Sequence, residues 1–133
     1  MADEEKIFTT GAARSNLDHM RLDLVSPIAQ LFEGQRYALG AERRGAQNWR
    51  KGMPYSVILA HVQHHLALFV LGDRSDDHLA AARWGIGALM EQEYTHPEQN
   101  DLFVFPTAVV ERVKRKLADQ WATLTAEAKA SKP

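Results

Sequence analysis

Residues 54–72 read Pro54-Tyr55-Ser56-Val57-Ile58-Leu59-Ala60-His61-Val62-Gln63-His64-His65-Leu66-Ala67-Leu68-Phe69-Val70-Leu71-Gly72. Ile58, Val62, His65, Leu66 and Phe69 recur at i, i+4, i+7, i+8 and i+11, the spacing of one helical face. The stretch predicts a helix from Pro54–Ser56 to Gly72 with an imidazole set inside its apolar stripe. Upstream, Ser26-Pro27 joins an N-cap residue to a proline at the first helical position, and Gly40 supplies a stop. A helix is therefore expected over Pro27–Leu39, with Ile28, Leu31, Phe32, Gln35 and Leu39 inward. Downstream, Ser75 or Asp76 caps a third helix that carries Leu79, Ala82, Ile86, Leu89 and Met90 inward and fades near Tyr94. Pro106 opens a fourth through about Lys129, striped by Val110, Val113, Leu117, Trp121 and Leu124. No run alternates as a strand does, and no repeat is visible. The fold class is all-α, a short four-helix bundle.

Residues 1–25 show little apolar periodicity and read as an irregular arm, with a short turn of helix near Asp18 to Leu22. Residues 26–133 then form a single all-α domain. At 133 residues the chain can bury a core, but it has few helices to spare for a deep pocket, so a partner subunit is expected to help complete a site. Sixteen basic against seventeen acidic residues leave a formal charge of -1, which excludes the broad cationic field that holds nucleic acid. Without cysteine, disulfides, zinc thiolates and cysteine nucleophiles are excluded. The polar start Met1-Ala2-Asp3-Glu4 carries no signal-peptide core, and no apolar stretch approaches the roughly 20 residues that span a bilayer. A cytoplasmic protein without membrane association is expected.

Chemistry-bearing residues concentrate between Glu33 and Trp84. Asp73-Arg74-Ser75-Asp76-Asp77-His78 is the densest acidic stretch and falls where two helices meet. Acids there cap free N–H groups, yet three carboxylates and an imidazole also form a hard-ligand set for Mg²⁺ or Mn²⁺. His61 and His65 share a face, but the His-Glu-x-x-His of metalloproteases is absent. Glu33 borders the helix core; its plain reading is a solvated acid paired with Arg36. Trp49 and Trp84 can pack or stack on a base, and Asn48 beside Trp49 favours a ligand. Arg36, Arg44, Arg50 and Lys51 are individually ordinary surface bases, yet three of them flank the glycine-containing stretch that an anionic ligand could meet. There is no phosphate loop, dinucleotide fingerprint or nucleophile elbow, and no histidine precedes an aspartate as in helical HD phosphohydrolases. The mixture suits a metal-dependent site for a phosphorylated, ring-bearing ligand.

In order and spacing, Gly11-Ala12, Arg14, Arg21-x-Asp23-Leu24, Pro27, Glu33-x-x-x-Tyr37, Asn48-Trp49-x-x-Gly52, His65-Leu66, Gly72-Asp73 and Asp76-Asp77-His78-Leu79-Ala80-Ala81 with Trp84 form a series. The series resembles the phage-encoded dATP/dGTP diphosphohydrolases, a MazG-like all-α branch of nucleoside triphosphate pyrophosphohydrolases that includes the MazZ type. The resemblance implies cleavage of dGTP, with GTP and dATP as further substrates, to the monophosphate and pyrophosphate. It also implies a homodimer or homotetramer and, for MazZ-type proteins in the host cytoplasm, a supply of dGMP for 2-aminoadenine nucleotides. Glu33, Asp77 and His65 are then expected to be catalytic. Glu33, Asp73, Asp76, Asp77 and His78 would ligate two or more Mg²⁺ or Mn²⁺ ions, and Arg36, Asn48, Trp49, Arg50, Lys51 and Trp84 would bind substrate. The chain departs from the superfamily pattern: Glu-x-x-Glu becomes Glu33-x-x-Arg36, and Glu-x-x-Asp is at best Asp73-x-x-Asp76. His64 stands where arginine is frequent, and Gly85 where asparagine is. The alternative reading is a non-catalytic helical protein that binds nucleotide or metal, or a structural adaptor.

Overall fold

A computed structural model describes residues 5–15 and 19–132. Four α-helices dominate: α1 Pro27–Arg44, α2 Tyr55–Leu71, α3 His78–Thr95 and α4 Thr107–Ala130. The fold is all-α, as its periodicity predicts. Two compact units divide it, one through Asn100 and one from Asp101 onward. The second unit carries α4, whose Val113, Leu117, Trp121 and Leu124 are exposed.

Ahead of the helices, β1 Glu5–Ile7 and β2 Ala13–Ser15 pair antiparallel with Lys6 opposite Arg14. The sequence reading expected an irregular arm; three-residue strands are too short to show an alternation. Gly11, at φ 89°, makes the turn. The helical turn expected near Asp18 to Leu22 is a 3-10 turn at Leu22–Leu24, and Asp18 lies outside the described residues.

Helix α1 starts as expected, with the Ser26 hydroxyl accepting the Ala29 N–H at 3.1 Å. It does not stop at Gly40. Good helix formers follow at Ala41–Arg44, and the helix ends at Gly45, whose φ of 94° leaves the helical region. A 3-10 turn, Asn48–Lys51, leads into α2. Gly72 closes α2 in the left-handed conformation, and the Asp73 N–H returns to the Leu68 carbonyl at 3.0 Å, the pairing of a Schellman cap. Helix α3 is capped by Asp77, not by Ser75 or Asp76, through its side chain on the Ala80 N–H at 3.1 Å.

Helices α2 and α3 meet through Ile58, Val62 and Ala82, flanked by Met53 and Leu89. The inward face of α3 is made of small residues: Ala81, Ala82, Gly85 and Ala88 are buried, whereas the expected Leu79, Ile86 and Met90 are exposed. Close approach is the reason. A Cβ at Gly85 would lie 2.6 Å from Val62 Cγ2, so this crossing admits no side chain there. Helix α1 packs on α3 in the opposite sense to its hydrophobic pattern. Ala29, Glu33, Arg36, Tyr37, Gly40 and Ala41 are half-buried, while Ile28 and Leu31 of the expected core stripe are 68% and 74% exposed. Gly87 of α3 gives room to Tyr37 and Glu33 of α1, and the charges of α1 find counter-charges on the other elements.

Candidate active site

The tight α2–α3 corner brings three metal-capable donors together. His65 of α2, Asp76 of the corner and His78 of α3 each offer a ligand atom, all within 4.8 Å of one another. His65 Nδ1 and His78 Nδ1 are 2.9 Å apart. His78 is buried, and its other nitrogen, Nε2, donates to Asp73 Oδ2 at 2.5 Å. Asp73 is held in turn by the Ser75 hydroxyl at 2.8 Å and by its place in the α2 cap. A carboxylate on the far nitrogen fixes the tautomer, so Nδ1 of His78 presents its lone pair to the cluster. Asp73, expected among the metal ligands, is not one of the three clustered donors and bonds to His78 from behind them.

The electrostatic surroundings of His65 and Asp76 suit ligation. Burial, then the charges of Arg36 and His78, hold His65 below the ordinary histidine range, which keeps it a neutral donor. For Asp76 burial opposes ionisation, but the Arg36 guanidinium and the Asp77 N–H outweigh it and leave its pKa lowered. The hydrogen bond from His78, followed by that from Ser75, lowers Asp73. Two imidazoles and a carboxylate are a donor set that fits a divalent cation of borderline hardness.

Arg36 reaches Asp76 Oδ1 at 2.7 Å, so the plain pairing of Glu33 with Arg36 is not what forms. Glu33 instead lies 3.3 Å from Arg83 Nε, a buried nitrogen that makes no hydrogen bond. Proximity of charge, without aligned bonding, is all that restrains this carboxylate. Asp77 spends one oxygen on its cap.

Alongside the cluster runs a cavity of about 470 Å³ between α1, α2 and α3, within the range of small-ligand sites. Arg36, Asn48, Trp49, His65 and Trp84 all line it. Tyr37 joins the two indoles, its ring 5.7 Å from Trp49 and 6.1 Å from Trp84. Burial, then the charge of Glu33, pushes its phenol above the usual tyrosine range, so it remains a donor. Arg50 and Lys51, expected to bind substrate, are not among the lining residues. Arg50 pairs with Glu91 at 2.9 Å and lies over Trp49 at 4.7 Å, bracing the ring from behind. On the corner's other side Asp76, Asp77 and His78 line a second depression with Phe69 and Arg74. Asp76 and His78 thus face one hollow while His65 faces the other.

With this geometry in view, a family model described as dATP/dGTP diphosphohydrolase, N-terminal, matches residues 9–102. The chain belongs to this dATP/dGTP diphosphohydrolase family. The comparisons with curated proteins and with solved structures give no match. The diphosphohydrolase match takes in α1 to α3 and stops before α4. Every residue of the cluster and the cavity is inside it, and the coarse activity that follows is that of a nucleotide hydrolase. In this diphosphohydrolase the Gly85 departure goes with the tight Val62 crossing, and His64 is exposed with its ring 5.6 Å from that of His65. Among the described residues no helix is long and apolar enough to cross a membrane.

The sequence reading missed several participants. Arg83, Glu91 and His96 are far from their partners in the chain, and no local pattern announces a pairing such as that of the His96 ring with the Arg50 carbonyl at 2.7 Å. Arg43 was legible in principle, since it falls on the face of Arg36 seven residues on. The stop expected at Gly40 hid it.

Proposed function

We propose that the chain hydrolyses dGTP between the α and β phosphorus atoms to give dGMP and pyrophosphate, with GTP and dATP as the alternative substrates. The observation that carries this reading is Arg36, which lines the ring-walled cavity and is bonded to Asp76 of the donor cluster. A phosphate chain bridging the two would lie between a guanidinium and the metal ligands. His65, Asp76 and His78 would hold a divalent ion. Glu33 and Asp77, each with carboxylate oxygen to spare, would serve further ions in a site of two or more. Bound Mn²⁺ or Mg²⁺ supplies Lewis acidity that acidifies water and offsets phosphate charge, and the two imidazoles favour Mn²⁺.

The chain's own residues do the rest. Asp73 orients His78. Arg36 leaves Asp76 for the substrate phosphates. Glu33, unaligned with Arg83, accepts a proton from the attacking water as the bond from the α-phosphorus to the bridging oxygen breaks and pyrophosphate leaves. Trp49, Tyr37 and Trp84 flank the base, and Asn48 meets the base or sugar. Exclusion of bulk water by this wall strengthens each charged contact.

The exposed face of α1 supports a homodimer or homotetramer, because Ile28, Leu31 and Phe32 form an apolar stripe that the described residues of its own unit leave exposed. In a phage the product would feed 2-aminoadenine nucleotide synthesis in the host cytoplasm. The deciding experiment is chromatography of products after incubating the protein with Mn²⁺ or Mg²⁺ and each common dNTP and NTP. Formation of dGMP with pyrophosphate is expected. Orthophosphate or nucleoside as first product, or no turnover, would overturn the reading and, in the last case, leave a nucleotide-binding protein.

A further inference from the structure

We infer that Arg43 reads the guanine edge of the nucleotide at the end of the cavity away from the metal-donor cluster. The inference rests on the proposal that this cavity holds a purine nucleoside triphosphate, and it names what selects the base.

Arg36, Gly40 and Arg43 stand at i, i+4 and i+7 of α1, on one face, and all three line the cavity. At 1.5 Å per residue, Arg43 lies roughly 10 Å along the axis from Arg36. That span is comparable to the reach from a nucleotide's α-phosphate to the far edge of its base. Arg36 marks the phosphate end, because Asp76 ties it to the donor cluster. Between the two arginines the helix is bare: nothing lies within 4 Å of a Cβ built on Gly40. Glycine inside a helix costs about 1 kcal/mol relative to alanine, and no packing contact here explains its presence. An open slot does. Trp49 and Tyr37 stand beside it, so a base lying over Gly40 is flanked by aromatic surface.

Among the described residues Arg43, like Arg44 beside it, is a cavity guanidinium without a partner. Arg36 and Arg50 are each engaged by a carboxylate, but among the described residues Arg43 makes neither an ion pair nor a hydrogen bond. Its fork of donors matches the N7 and O6 acceptors of guanine. Adenine presents an amino donor in place of O6, so the same fork meets a donor and one bond is lost. Arg44, the next residue, also lines the cavity and reinforces the positive end without sharing the face of Arg36.

The test is titration calorimetry of the full-length protein with Mn²⁺ against dGTP, dATP, 7-deaza-dGTP and inorganic tripolyphosphate, repeated with Arg43→Ala and Arg43→Lys. Calcium in place of manganese holds turnover down if hydrolysis is fast. Wild type is expected to prefer dGTP over dATP. Arg43→Ala should weaken dGTP roughly 10- to 100-fold while leaving dATP and tripolyphosphate nearly unchanged. Arg43→Lys, which keeps charge but not the fork, should lose most of the same discrimination. The penalty for removing N7 should vanish in Arg43→Ala. Equal binding of dGTP and dATP by wild type would overturn the inference. So would a loss in Arg43→Ala shared alike by dGTP, dATP and tripolyphosphate, the mark of a phosphate contact. Because binding is read directly, absence of turnover sinks the hydrolase proposal without deciding this one.

Discussion

Arg36 on α1 and Asp76 at the α2–α3 corner, forty positions apart in sequence, are joined by a 2.7 Å charged hydrogen bond, yet each faces a separate hollow. The pair neutralises two groups that the proposed reaction needs free, so ligand binding at either hollow has to break it.

Competition at this pair gives the first prediction. With Arg36→Gln, Mn²⁺ should bind more tightly in the absence of nucleotide, because Asp76 has lost its counter-ion, while tripolyphosphate binds at least several-fold more weakly. Asp76→Asn should weaken the metal by about 10-fold or more. Calorimetry or manganese electron paramagnetic resonance measures both. Unchanged metal affinity in both variants would remove Asp76 from the ligand set.

Glu33→Gln and Asp77→Asn should each abolish turnover while the protein stays folded. Asparagine caps a helix about as well as aspartate, so the Ala80 N–H keeps its partner. A melting temperature within a few degrees of wild type, with activity down by two orders of magnitude or more, is the expected pair of readings. Wild-type rates at saturating metal would make both residues structural.

His96 supplies a pH dependence. Its Nδ1 faces Glu98 at 2.9 Å and its Nε2 the Arg50 carbonyl at 2.7 Å, two acceptors that both favour the imidazolium. The hydrogen bond to Glu98, then that to Arg50, raises its pKa above the ordinary value. The folded pKa thus exceeds the unfolded one of about 6.5, so the stabilisation is complete below that pH and is lost as pH rises through the folded value. The melting-temperature gap between wild type and His96→Gln should therefore be wider at pH 6 than at pH 8. A gap that widens with pH would contradict this assignment.

Two glycines should respond in opposite ways to the same change. Gly40→Ala meets open space in a helix and should stabilise by up to about 1 kcal/mol. Gly85→Ala drives a methyl into Val62 and should destabilise by about 1–3 kcal/mol, with partial rescue by Val62→Ala. Denaturant unfolding compares them directly.

The exposed stripe of α1 is tested by Leu31→Glu with Ile28→Lys. Light scattering after size exclusion should show wild type as a closed oligomer and the double variant at smaller mass. A monomeric wild type with full activity would leave the stripe without this role.

The helices were legible because their caps and periods are local properties. Ser26-Pro27 and Gly72 announced their ends correctly. The faces of α1 and α3 were not legible, because apolarity marks the inward side only when burial is driven by transfer of large side chains. Ala82 and Leu89 of the expected α3 stripe do face the core, but Gly85 and Ala88 face inward for their size, and Glu33 and Arg36 for their partners, which a single-helix pattern does not contain. Aromatic residues and acids were singled out from the sequence as a group. Which of them meet depended on the corner geometry, which set Asp73 behind His78 and brought His65, from another helix, into the cluster.

The hydrogen atom that stands for a side chain at Gly85 lets α2 and α3 touch, and His65 and His78 ride on those two helices. Distance between the imidazoles is therefore inherited from a residue with no chemistry of its own, acting as a spacer gauge. In the proposed metal site, a substitution at position 85 or 62 would alter the spacing of the two rings while every donor residue stayed in place. On that proposal, the fit of a cation would be set in the packing of methyl groups as much as in the identity of the donors.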